Sequence, residues 1–145
     1  MPLRNPDLTQ FTLHFGAASC SNAVATYLYP GHYPAAATNV ETVAICLLKV
    51  PTGKTATLSL LDLQCTTGPA TQGSTVTVRT RAVGGAFGAS ALTAALATSG
   101  TRATDTTHSV TVTDGTAISI EVNPTGGQTA GPTSGVYASI LVTIQ

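Results

Sequence analysis

Short runs rich in Val, Ile, Leu, Thr and Tyr recur along the whole chain, each closed off by Gly, Pro, Asn or Asp, and helical periodicity is almost absent. A β-sandwich or barrel is built from such units, because a strand needs only a few residues and a turn to reverse it. The spacing predicts an all-β domain of about eight to ten antiparallel strands. At 145 residues there is material for one compact core and not for two.

The individual runs differ in how they are expected to sit. Gln10 to Phe15 alternates Phe11, Leu13 and Phe15 with Thr12 and His14, so one face is buried and the other wet. Thr75 to Val83 alternates in the same way, with Val76, Val78, Thr80 and Ala82 opposite Thr77, Arg79 and Arg81. Ala56 to Cys65 reads as a strand around Leu58, Leu60 and Leu63 with a polar Asp62. Ser90 to Thr98 is Ala-rich, yet it is short, uncapped and flanked by β segments, which favours a strand over a helix. The runs His108 to Thr113 and Thr116 to Val122, separated by Asp114-Gly115, predict a tight type I′ hairpin.

Two segments lack a polar face. Val40 to Val50 is apolar on both sides over Val43, Ala44, Ile45, Cys46, Leu47 and Leu48, and the last strand, Val136 to Ile144, sets Tyr137 and Leu141 on the face opposite Val136, Ala138, Ile140, Val142 and Ile144. With no helices to cover such strands, either they cross the middle of the sandwich or another subunit covers them. Tyr137, Leu141, Val43 and Ile45 are therefore the candidate subunit interface, and cyclic self-association is the expected outcome. Val24 to Tyr29 reads as a strand, and Pro30 to Asn39 after it has too many turn formers for one; Tyr27, Tyr29 and Tyr33 cluster around Pro30 and Pro34. They suit an extended arm whose aromatic rings anchor it on a neighbouring surface, or else a sugar-binding site.

Charge narrows the function classes. Only 8% of residues are charged, six basic against six acidic, so there is little field to draw in nucleic acid or an anionic membrane, and neutrality favours association. Met1 to Phe15 lacks a basic start followed by an apolar core, which predicts cytoplasmic synthesis without export. Cys20, Cys46 and Cys65 are odd in number and widely spaced, as expected of buried apolar residues rather than of a disulfide framework.

Catalytic and cofactor signatures are weak. Gly53-Lys54-Thr55 ends like a phosphate-binding loop, but Leu48 stands where the earlier glycine belongs and a strand follows. His14, His32 and His108 lie far apart without metal-ligand spacing, although three copies of one His could meet on a symmetry axis. Asp62, Asp105, Asp114 and Glu121 read as edge charges and turn formers, and no Gly-x-Ser-x-Gly occurs. The chain is expected to be no enzyme and to need no cofactor or metal.

Several stretches resemble small phage and prophage structural proteins with a tumour-necrosis-factor-like jelly roll. They are Tyr27-Leu28-Tyr29-Pro30-Gly31, Pro51 to Leu58, Thr75-Val76-Thr77-Val78-Arg79, and Ser99 to Val112 with Asp114-Gly115 and Ile118-Ser119-Ile120-Glu121-Val122. One departure is the passage from Arg79 to Gly84-Gly85, where an Asn-Gly pair is common in such proteins. The resemblance implies a trimeric jelly roll on a virion, most simply a capsid decoration protein bound to the major capsid protein or another virion protein. Residues 1–35 would then supply an N-terminal strand and an arm that grips the capsid, and residues 36–145 the jelly-roll body of a single domain. A receptor- or glycan-binding fibre tip is the alternative.

Overall fold

The computed structural model describes residues 9–31, 35–126 and 133–145. They form nine strands: β1 (Thr9–Cys20), β2 (Thr26–Pro30), β3 (Cys46–Leu47), β4 (Ala56–Gln64), β5 (Ser74–Arg81), β6 (Gly88–Leu96), β7 (Arg102–Val112), β8 (Ala117–Pro124) and β9 (Thr133–Ile144). The hydrogen-bonded order is β6-β5-β8-β2-β1-β9-β4-β7, antiparallel throughout, with β3 on β8. This single path folds over into two layers, β7-β4-β9-β1 and β6-β5-β8-β2, joined where β1 crosses from one to the other.

The crossing falls at Phe15-Gly16, which pairs with Pro30-Tyr29 on one side and Ala138-Tyr137 on the other. A Cβ on Gly16 would stand 3.2 Å from the Gly31 oxygen and 3.3 Å from that of Val136, so glycine is what lets three backbones converge. Alternation along each strand then fills the core. Phe15, Leu28, Leu58, Val78, Leu92, Ile120 and Ile140 are all buried there.

The predicted alternations of Gln10 to Phe15 and Val136 to Ile144 reappear in β1 and β9; that of Thr75 to Val83 reappears in β5 as far as Arg81, with Ala82 and Val83 exposed beyond it, and the Ala-rich segment is β6. Three local expectations are corrected. The run Val40 to Val50 is not a long strand. It holds a 3-10 turn at Glu41–Val43 and only the two-residue β3. Its apolar side chains divide by position, with Ala44, Leu48 and Val50 buried while Val43 and Leu47 stay exposed, because the segment is itself the cover of another strand. Asp114-Gly115 does not close a hairpin. Only Gly115 has a positive φ (76°), and Thr116 N–H donates to the Thr113 carbonyl at 3.2 Å, a type II arrangement that sends β7 and β8 into opposite layers. In β4, Leu60 takes a left-handed φ of 54° at a bulge, so Leu61 and not Leu60 shares the core with Leu58 and Leu63.

The edge strands β6 and β7 meet at the remaining seam, where Asp105 of β7 is buried. Its carboxylate accepts the Thr93 N–H from β6 at 3.0 Å, the N–H groups of Thr107 (3.0 Å) and His108 (3.1 Å), and the Thr107 hydroxyl at 3.1 Å; His108 Nδ1 lies 2.9 Å away. Burial alone would raise this carboxyl, but the backbone donors outweigh it and hold it well below the usual carboxylate range. One side chain thus bonds across the gap that backbone pairing leaves open.

Candidate functional site: the two outer faces

The outward rows of the β7-β4-β9-β1 layer follow from the register. His14, Ser139, Asp62 and Thr104 lie side by side, and so do Gly16, Tyr137, Gln64 and Arg102. A third row sets Thr12, Leu141, Ser59 and Ser109 together. The β4 bulge adds Leu60 to this surface at 45% exposure, and Tyr137 is 46% exposed. Gly16 leaves room for the Tyr137 ring, whose Cδ1 would lie 3.6 Å from a Cβ at position 16.

His14, Asp62, Gln64, Tyr137, Ala138 and Ser139 line a shallow depression of about 200 Å³. Its acid is held in place, since Arg102 donates to both Asp62 oxygens, Nε at 3.0 Å and Nη2 at 2.9 Å, and Gln64 reaches Oδ2 at 3.5 Å. The Arg102 bonds keep the Asp62 carboxyl below its ordinary value. The face is a mosaic of hydroxyls and one ion pair around the exposed side chains of Leu60 and Tyr137 and the half-buried Leu141.

The opposite layer is finished differently. Part of this outer face, with Ser119 of β8 and Arg79 of β5, is roofed by the segment from Val40 to Leu47, tied down through Glu41. Its Oε1 accepts Arg79 Nε at 2.7 Å and the Ser119 hydroxyl at 2.6 Å, while Arg79 Nη1 lies 3.2 Å from Glu121 Oε2. Ser119 is consequently 0% exposed although it points away from the core. Burial disfavours the Arg79 charge, but the two carboxylates outweigh it and raise its pKa. Tyr27 belongs to this network, donating to Glu121 Oε2 at 3.3 Å, and burial followed by the nearby Glu121 and Glu41 charges raises its hydroxyl.

The predicted site residues are therefore divided. Tyr137 and Leu141 share the open face, whereas Val43 and Ile45 belong to the roof of the other layer. Tyr27 and Tyr29 lie in β2, and the segment behind them is docked: Ala18 N–H donates to Ala35 O and Ala37 N–H to Ser19 O, both at 2.7 Å, and Tyr27 and Thr38 bond reciprocally. Tyr33 and His32 lie outside the described residues. Leu60, Arg102 and Asp105 were not singled out for these roles by sequence reasoning; for Asp105 the Asp-Thr-Thr-His run is a readable signal, since Asp side chains bond the backbone two and three residues on. The three cysteines are free, and burial pushes the Cys20 thiol up to about 12 and raises those of Cys46 and Cys65. No group of three or more His, Cys, Asp or Glu side chains converges among the described residues.

No protein-family model matches the sequence, and no curated protein matches it. Two solved structures resemble the fold. Murine APRIL superposes with a TM-score of 0.50 at 13% identity, covering 92% of this chain and 98% of that one. The globular domain of the zebrafish complement 1qA protein gives 0.48 at 11% identity, over 93% and 96%. The strand order, the two antiparallel layers and the likeness to APRIL together give this chain a TNF-like jelly-roll sandwich.

Proposed function

We propose that the chain is a non-enzymatic structural protein that forms a homotrimer through the open face of the β7-β4-β9-β1 layer and decorates a phage capsid. The observation that carries the self-association is the unequal finish of the two layers: the chain roofs part of one with its own residues and, among the described residues, leaves Leu60 and Tyr137 of the other exposed and Leu141 half-buried. Exposed apolar groups set among hydroxyls, on a chain with balanced charge, suit contact with other copies of the chain in a closed ring. A specific interface needs roughly 800 Å² per partner, within reach of a four-strand face. The virion role rests on the resemblance of the hairpin and turn stretches, and the fold is compatible with it without fixing it.

Sedimentation at micromolar concentration is expected to give a trimer, and Leu141→Asp to give folded monomer; wild-type protein running as monomer would overturn the assembly. Capsids carrying the protein are expected to resist heating better than capsids without it, and equal disruption temperatures would overturn the cement role. A second reading has its own observation, the depression in which a half-exposed Tyr137 ring stands beside Asp62, Gln64 and His14. Such a pairing of ring and planar polar groups suits a sugar. It predicts polysaccharide binding by the isolated protein that Asp62→Asn abolishes.

A further inference from the structure

One end of the sandwich carries an apolar point that neither layer's outer face includes. Val83, in the turn between β5 and β6, is 80% exposed, more than any other large apolar side chain among the described residues. It does not hang on a loose loop. Gly85 N–H donates to Ala82 O at 2.9 Å, Gly84 takes φ +75°, and at the hairpin base the Arg81 guanidinium lies over the Phe87 ring, 4.7 Å from its centroid.

Two further loops brace the same end. Gly115 N–H donates to Leu48 O at 2.9 Å, and Asp114 Oδ1 accepts Val50 N–H at 2.9 Å, which fastens the segment after β3 to the turn between β7 and β8. Val83 rests on that turn, since a Cβ at Gly115 would come 2.8 Å from its Cγ2. Leu47, at 59% exposure, and Arg81 pair with the same residue, Ala117, from opposite sides. Lys49 has a side chain 85% exposed and lies 3.9 Å from Asp114. This end thus gathers, among the described residues, two cations, Lys49 and Arg81, and one acid, Asp114, one of whose oxygens is already committed to the Val50 N–H.

We propose that this end, with Val83 and Leu47 as apolar contacts and Lys49 and Arg81 as flanking charges, is the docking surface for a larger protein assembly, and that it enters an apolar pocket rimmed by carboxylates. The inference rests on the structural-protein reading above and names the surface by which the trimer is mounted. Two cross-bonded loops, with the β5–β6 turn packed on them, lose little freedom on binding, which lowers the cost of association. The excess of basic over acidic groups selects an acidic rim, and the position at the strand ends leaves the β7-β4-β9-β1 face available for self-association. Tyr27, fixed within the Glu121 network, is not needed for the grip.

The test is co-sedimentation of purified protein with phage heads assembled without it, comparing wild type, Val83→Asp and Lys49→Glu, with the mass of each variant measured in parallel. Val83→Asp is expected to weaken binding more than tenfold and Lys49→Glu to weaken it most at low salt, both with the trimer mass unchanged. Wild-type binding with both variants equal to it would overturn this surface while leaving the decoration role standing. Failure of wild type to bind heads would overturn both. If anionic lipid vesicles capture wild type, heads do not, and Val83→Asp abolishes capture, the end is a lipid contact and the protein pocket is wrong.

Discussion

The two layers of this sandwich solve the same problem in opposite ways. Each has an outward face, but β8 is buried on both sides from Ala117 to Ile120, where a strap of its own chain crosses it, whereas β9 keeps Tyr137 exposed and Leu141 half-buried on its outer side. The covered face carries a half-buried charge cluster, Arg79 between Glu41 and Glu121; the open face carries an ion pair at the surface, Asp62 with Arg102. The difference teaches that doubly apolar sequence is ambiguous. It marks both the strap that covers and the strand that waits for cover.

The largest expected effect breaks the frame that both faces share. Asp105→Ala removes the carboxylate that bonds β7 to β6 and strands several donors, which should cost about 3–5 kcal/mol in denaturant unfolding. The acid limb should carry its signature. Because the folded carboxyl lies below the unfolded value of about 3.9, its stabilisation is fully present above that pH and is lost as pH falls towards the folded value. Asp105→Asn should flatten the fall in melting temperature below about pH 4; an unchanged slope would mean that another acid controls it.

Neighbouring leucines sharpen the comparison next. Leu61→Ala, in the core, should cost about 2–5 kcal/mol, while Leu60→Ala should leave monomer stability within about 0.5 kcal/mol and loosen the trimer. On the covered face, Arg79→Met should cost about 1–2 kcal/mol and free the strap, read as faster amide exchange from Val40 to Leu47. The smallest effect is expected on the open face, where Arg102→Ala should leave the melting temperature nearly unchanged because water replaces the guanidinium. A large loss there would mean that the open face is not open.

Much of the fold is legible in β1, β5 and β9, where one residue in two is apolar and the layer has one wet side. The Ala-rich β6 is legible from its neighbours, because propensity yields to context over so short a stretch. Asp114-Gly115 is different. A glycine that permits a positive φ serves a type I′ hairpin and a type II corner alike, and only tertiary packing decides whether the next strand pairs or departs. In Leu58-Ser59-Leu60-Leu61-Asp62-Leu63 one left-handed residue shifts the alternation by one place, and four leucines offer no polar marker to say where. Of the site, the outward pair Tyr137 and Leu141 is written in β9. The Asp62–Arg102 pair joins residues 40 apart and exists only through the β4–β7 register.

The strand order also sets a schedule. Thr9 pairs with Ile144, and β9 lies between β1 and β4, so the layer with the open face cannot form until the strand made after all the others has inserted between two that are already waiting. The other layer, β6-β5-β8-β2, is complete once β8 has been made. Pairings of such long sequence separation fold slowly. A nascent chain therefore has no assembled β7-β4-β9-β1 surface before β9 is made, so the self-association proposed for that face would be postponed by topology alone.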